Sequence, residues 1–143
     1  MTKPLAVITG ASSGIGEATA KAFSAAGYPT LLLARRLERM EALSLPNSMC
    51  RQVDVRNRDE LVAAIREAEA EYGPTDMIFN NAGVARLADI GTQPPEDWDE
   101  MIAINTNGVM NGVYAVMGQM KERRTGTIVN MSSIAGRKVY DDH

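Results

Sequence analysis

Thr9-Gly10-Ala11-Ser12-Ser13-Gly14-Ile15-Gly16 is the stretch on which the fold turns. It follows Leu5-Ala6-Val7-Ile8-Thr9, an apolar run of strand length, and opens Gly14 to Ala26, which reads as a helix punctuated by Gly27. A glycine-rich turn between a strand and a helix presents the helix's first N–H groups, unpaired and at the positive end of its dipole. Glycines permit the tight turn and let an anion approach the backbone, and Ser12 and Ser13 add hydroxyl donors. No Gly-Lys-Ser/Thr follows, so this is not the phosphate loop of a nucleoside triphosphatase. A bare strand-to-helix turn without ligand would use the same glycines, and the surrounding sequence has to separate the two readings.

Working outward, Thr30 to Ala34 is a second strand and Leu37 to Leu43 a short helix, with Pro46-Asn47 marking a loop. Met49 to Val53 is a third strand. Asn57 caps the next helix, with Glu60 as its capping-box partner. Leu61, Ala64, Ile65 and Ala68 fall on one face of that helix, Glu67, Glu69 and Glu71 lie off it, and Gly73-Pro74 ends it. Met77 to Phe79 is a fourth strand running into Asn80-Asn81-Ala82-Gly83. Thr92, Pro94 and Pro95 precede a single long helix from Glu96 to Glu122, and Gly126 to Met131 is a fifth strand. Strands that are apolar throughout are buried on both faces, and helical crossovers between them imply a parallel sheet. The expected class is α/β, a doubly wound parallel sheet with helices on each side.

The length, 143 residues, suits one domain. Hydrophobic residues at 45% and charged residues at 23% give the balance of an ordinary soluble domain. The net charge of -3 supplies no strong positive field, which argues against a nucleic-acid partner. A single cysteine, Cys50, excludes an internal disulfide and a multi-cysteine zinc site, and a single histidine, His143, excludes a His-rich metal site and argues against a histidine triad. No metal is expected. No apolar run approaches the ~20 residues that span a bilayer, and Lys3 is followed by no long apolar segment of a signal peptide. No membrane partner is expected, and the default location is the cytoplasm.

The spacing Thr9-Gly10, Gly14, Gly16 differs from the Gly-x-Gly-x-x-Gly of many dinucleotide folds. With it come Asp54-Val55 after the third strand, Asn80-Asn81-Ala82-Gly83 after the fourth, Asn105 within Ile104-Asn105-Thr106, and Asn130-Met131-Ser132-Ser133-Ile134-Ala135-Gly136 at the end of the fifth. In this combination and order the chain resembles the short-chain dehydrogenase/reductase family over almost its whole length. The resemblance implies a Rossmann sheet of five strands in order 3-2-1-4-5 over residues 1–143. It also implies a nicotinamide cofactor with its phosphates on Gly10, Ser12, Ser13, Gly14, Ile15 and Gly16. Asp54 would contact the adenine amino group and Val55 wall the ring. Asn81, Ala82 and Gly83 would lie against the cofactor. Asn105 would perturb its helix and hold a water in a proton relay, and a serine at the end of the fifth strand would bind the oxygen of a small-molecule carbonyl or alcohol.

Each of these positions also has a plain structural use. Asp54 suits a turn or helix cap, Asn81 and Gly83 suit a turn, and Ser132 and Ser133 suit strand-end capping. Trp98, Met101, Ile102 and Asn105 share the apolar side of the long helix, so Asn105 reads as a buried amide bonding backbone near Gly108. The cofactor type is read at the end of the second strand, where an acidic residue favours NAD. Here stand Ala34-Arg35-Arg36, no carboxylate and two guanidiniums, which favours the 2′-phosphate of NADP over NAD, and Arg35, nearer the strand end, is the one expected to meet that phosphate. Without a phosphate they would be two solvated charges.

The family's catalytic Tyr stands about thirteen residues after the serine, with a Lys four further on. That count selects Ser133 over Ser132 and places both partners past His143. Tyr140 is only seven residues on, with no Lys four places later, and reads as a loop tyrosine. The 143 residues are therefore expected to be C-terminally truncated relative to the family and inactive alone. The fifth strand's edge and a helix face bearing Met110, Val113, Val116, Met117 and Met120 would be uncovered. An intact version is expected to be an NADP(H)-dependent oxidoreductase interconverting an alcohol and a ketone or aldehyde, and a homo-oligomer. Two rivals remain: a nucleotide-binding module without catalysis, and a Rossmann methyltransferase, which has no need of the Asn-Asn-Ala-Gly and Ser-Ser stretches.

Overall fold

The computed structural model describes residues 3–140, so expectations attached to His143 lie outside the described residues. Five strands, β1 (Leu5–Thr9), β2 (Thr30–Ala34), β3 (Ser48–Gln52), β4 (Thr75–Asn80) and β5 (Thr127–Asn130), form one parallel sheet in the order β3-β2-β1-β4-β5. Val7 pairs with Leu31 on one side and Ile78 on the other, which makes β1 the central strand. The helices are α1 (Gly14–Ala25), α2 (Leu37–Glu41), α3 (Arg58–Tyr72), α4 (Pro95–Ile102) and α5 (Gly108–Arg123).

Strand alternation divides the core in two. Leu5, Val7, Leu31, Leu33 and Ile78 point to the face packed by α3 and α5, against Leu61, Ile65, Val116 and Met120. Ile8, Leu32 and Phe79 point to the opposite face, against Ala20 of α1 and Met40 of α2. Because both faces are covered, β1 and β2 are apolar at nearly every position rather than alternating. α1 buries Gly16, Ala20 and Ser24, a stripe of small residues at four-residue spacing that lets the helix lie close to the sheet. β3 is only partly buried and β5 pairs with β4 alone.

Several boundaries shift by one or two residues, as fraying ends do. β4 starts at Thr75 rather than Met77 because Thr75 already pairs with Leu5 of β1. The Asn57 cap forms, with its Oδ1 accepting from the Glu60 N–H at 3.2 Å. The reciprocal half of the box does not, since the Asn57 N–H donates instead to the Asp54 carbonyl.

The largest departure is the long helix, which is two helices joined by a π-helical turn, Ala103–Asn107, where the Gly108 N–H donates to the Ala103 carbonyl five residues back. Trp98 and Ile102 are exposed rather than on a buried stripe, and α4 buries none of its residues. The buried line runs through Ile104, Gly108, Asn111, Ala115 and Met120. The wide turn carries one extra residue, so a stripe extrapolated at 3.6 residues per turn goes out of phase across it. Val116 and Met120 are accordingly core residues, leaving Met110 and Met117, with Tyr114, on the exposed side.

Candidate active site

The C-terminal end of a parallel sheet gathers ligands where the strand order reverses, and here that point lies between β1 and β4. The chain leaves β1 through Gly10, whose φ of +65° suits glycine and where a Cβ would stand 2.8 Å from the Ala82 Cα. Gly14 also has positive φ, +56°, and its Cβ side is open space. Ser13 precedes α1 in extended conformation, and its side chain caps none of the helix's N–H groups. The first turn of α1 therefore has no cap from the Ser13 side chain.

Thr9 ties the two central strands together at this point. Its Oγ1 accepts from the N–H groups of Asn81 and Ala82, both at 3.0 Å, and donates to the Phe79 carbonyl at 3.4 Å. Asn81 Nδ2 returns to the carbonyls of Thr9 (3.2 Å) and Gly10 (3.4 Å). Thr9 stands in the glycine motif, but the motif by itself assigns it no task. Its signal was a buried hydroxyl at the last position of an otherwise apolar strand.

A cleft of about 290 Å³ opens above this edge. Its lining brings together Gly10, Ser12, Ser13, Ile15, Arg35, Arg36, Asp54, Val55, Asn81, Ala82 and Gly83. Of the expected cofactor residues only Gly14 and Gly16 stay out of the lining. Gly16 instead packs on the Gly10 carbonyl and the Asn81 amide, where any side chain would collide. Arg35 and Arg36 both reach the cleft, and it is the second whose guanidinium lies on the turn: Arg36 Nη2 donates to Ser12 Oγ at 3.2 Å and to Ser13 Oγ at 3.1 Å. Asp54 is gripped by Arg56, with Nη2 to Oδ2 at 2.6 Å and Nε to Oδ1 at 3.0 Å. The Arg56 side chain holds its carboxyl below the usual carboxylate range against the opposing pull of burial. Asp54 also accepts from the Arg56 N–H at 3.0 Å, so it serves the turn as well as the cleft.

A second cleft, about 420 Å³, adjoins the first across the shared Asn81, Ala82, Gly83 and Val84, and brings Asn105 together with Ser132 and Ser133. Asn105 is exposed rather than buried, and it bonds neither Gly108 nor its own helix. Its Oδ1 accepts from the Val84 N–H at 2.8 Å and its Nδ2 donates to the Val84 carbonyl at 2.7 Å. The amide thus pairs with the loop after β4 as another backbone strand would, and the π turn is what aims it there. Ser133 Oγ accepts from the Ala135 N–H at 3.1 Å and caps the short 3₁₀ turn Ile134–Gly136. A hydroxyl that accepts one bond keeps its proton to donate, so this cap leaves Ser133 able to bind an oxygen in the cleft. Asn80 holds the serine-bearing strand end in place: its carbonyl accepts the Met131 N–H and its Nδ2 donates to Asn130 Oδ1, both at 2.9 Å. Tyr140 lies in the loop beyond, partly buried, its ring facing the Lys138 ammonium at 5.4 Å. No group of three or more His, Cys, Asp or Glu side chains placed to hold a metal occurs among the described residues. None of their helices is long and apolar enough to cross a membrane.

The family model described as short chain dehydrogenase matches residues 4–142. An uncharacterized oxidoreductase of Staphylococcus saprophyticus is 37% identical over 138 residues, 94% of this chain and 56% of its own length. The NADP-dependent 3-hydroxy acid dehydrogenase YdfG of Salmonella typhi is 35% identical over 144 residues, 95% of this chain and again 56% of its own. The chain thus spans about half the length of these curated relatives. Among solved structures, the closed form of a serine dehydrogenase complexed with NADP+ superposes with a TM-score of 0.91 at 33% identity, covering 96% of this chain and 57% of that one.

Proposed function

We propose, from the premise that this chain belongs to the short-chain dehydrogenase/reductase family, that its first cleft holds NADP(H) and its second the oxygen of a small carbonyl or alcohol substrate. The cofactor, when bound, supplies the hydride. The chain's own residues bind, orient and exclude. The uncapped N-terminus of α1, with Ser12, Ser13 and Ile15 in the cleft lining, fits a pyrophosphate. Asp54 and Val55 form the adenine wall, and Asn81 to Gly83 the floor shared with the substrate cleft. Asn105 fixes the loop at Val84, and Ser133 offers its hydroxyl to the substrate oxygen. Residues 1–143 would act as one dinucleotide-binding domain.

The observation that carries the choice of NADP is the end of β2. That strand end brings two guanidiniums, Arg35 and Arg36, and no carboxylate of its own to the cleft, and Arg36 is already held over the turn by Ser12 and Ser13. A 2′-phosphate there would find a preorganised, doubly positive partner. Reduction of a carbonyl also needs a proton donor within hydrogen-bond reach of the oxygen. These 143 residues have no tyrosine at the family's distance from Ser133.

Calorimetry on the 143-residue chain should show NADPH bound at least about tenfold more tightly than NADH, and Arg36→Ala should erase most of that difference. An NADPH-oxidation assay with a panel of ketones and aldehydes should show no appreciable turnover by the same chain. Equal affinity for the two cofactors would sink the NADP reading, and turnover at ordinary dehydrogenase rates would sink the expectation of inactivity.

A further inference from the structure

Asn111 lines neither cleft, yet its side chain is buried to 4% exposure and sends its bonds away from its own helix. Its Nδ2 donates to the Val55 carbonyl at 2.8 Å, with the Arg56 carbonyl at 3.5 Å, and its Oδ1 accepts from Arg58 Nε at 2.9 Å. Burying an amide is unfavourable unless its polar atoms are paired. Every partner here lies in the short segment that follows β3 or at the first residue of α3. One turn earlier on α5, Gly108 faces the same segment so closely that a Cβ would come within 2.6 Å of Val55 Cγ2. Helix α5 thus both bonds the Val55 backbone and presses on its side chain. Asp54, which is half-buried, and Val55, which is 7% exposed, also line the cleft. Arg58 closes the arrangement from outside, its guanidinium 5.2 Å from the centre of the Tyr114 ring.

We infer that Asn111 is a positioning residue for the purine end of the cofactor cleft. Its amide, together with the missing side chain at Gly108, fixes where Asp54 and Val55 stand, and so how well the site tells adenine from another purine. Asn111 touches no cofactor atom itself, and the inference rests on the dinucleotide reading of that cleft. Replacing Asn111 with leucine, similar in size, leaves the buried Val55 carbonyl without its partner and frees the wall to shift. Gly108→Ala reaches the same wall by a different route. It raises helix propensity and leaves the amide in place, but pushes Val55 toward the cleft.

The test is calorimetry of the 143-residue chain, Asn111→Leu and Gly108→Ala with two ligands: NADPH and its hypoxanthine analogue, in which the purine 6-amino group is replaced by an oxygen. The native chain should prefer NADPH. Each variant should bind NADPH about tenfold more weakly, with a smaller loss for the analogue, so that the preference shrinks. Equal losses for both ligands would mean a merely structural residue and overturn the inference, as would an unchanged preference in the folded variants. Circular dichroism establishes folding, and should Asn111→Leu not fold, Gly108→Ala decides. A native chain that binds both ligands equally overturns the inference while leaving the cofactor reading intact. A native chain that binds neither overturns both.

Discussion

Thr9 carries more of the site than its size suggests. The residue is 2% exposed, and its single hydroxyl satisfies two backbone N–H groups at the start of the Asn81-Ala82-Gly83 loop and donates to a third backbone group. Thr9→Val keeps the shape and removes all three bonds, leaving buried polar groups unpaired at ~1–3 kcal/mol. Urea denaturation should show that loss, and NADPH affinity should fall with it because Gly10 and Ala82 pack against each other across the same junction. An unchanged midpoint would show that solvent readily replaces the hydroxyl. Arg36 was legible as a charge at the right place. Its grip on Ser12 and Ser13 was not, because those serines stand more than twenty residues away and only the parallel pairing of β1 with β2 brings them within reach. Asn105 shows the converse. Its type and position were readable from the motif, whereas its partner, the Val84 backbone, depends on where the loop after β4 comes to rest.

Among the elements, α5 is the one whose sequence looks least suited to a helix and whose structure explains it. Gly108 and Gly112 both weaken a helix interior by propensity. Gly108 makes room for Val55, and Gly112 makes room for the Asn80 side chain, whose Oδ1 would overlap any Cβ at that position. Asn80 cannot swing away cheaply, since its Nδ2 holds Asn130 across the β4–β5 pair. Gly112→Ala is therefore expected to destabilise the fold by ~1–3 kcal/mol despite the better helix propensity, read as a lowered urea midpoint. A gain in stability would show that Asn80 has a second rotamer available. The same register explains why α1 and α3 were predictable from periodicity alone: each buries one regular stripe along a sheet face. The segment from Pro95 to Arg123 was not, because its π turn serves the site rather than the helix, and a local insertion of one residue leaves no mark in composition.

At the scale of the whole molecule, the end of the sheet remote from the clefts is held by a polar network centred on Glu69. Its carboxylate accepts from the Thr75 N–H at 3.2 Å, from Arg66 at 2.6 Å and from Gln119, joining α3, β4 and α5, while Arg123 donates to the Thr75 carbonyl at 2.6 Å. Burial by itself would raise this carboxyl's pKa, but the hydrogen bonds from Thr75, Arg66 and Gln119 outweigh it and hold the value below the usual carboxylate range. The stability it contributes is therefore fully present above the unfolded-state pKa of about 4.3 and is lost as pH falls through the lower folded-state value. Glu69→Gln should lower the urea midpoint at pH 7 and flatten its decline below about pH 4.5. An identical acid profile in the variant would place the pH sensitivity elsewhere. The parallel sheet, the two-sided core and the strand-to-helix turn followed from the sequence by itself, because alternating short apolar runs with helical crossovers leave few sheets that bury both faces, and the strand order came with the family resemblance. The motif also named most of the residues that meet at the clefts. Tertiary structure alone decided which of them touch: that Arg36 reaches the turn, that Asn105 clasps Val84, and that Asn111 reaches across to Val55. Those contacts join positions far apart in the chain, and a hydrogen bond between them depends on distances of tenths of an ångström that only packing sets.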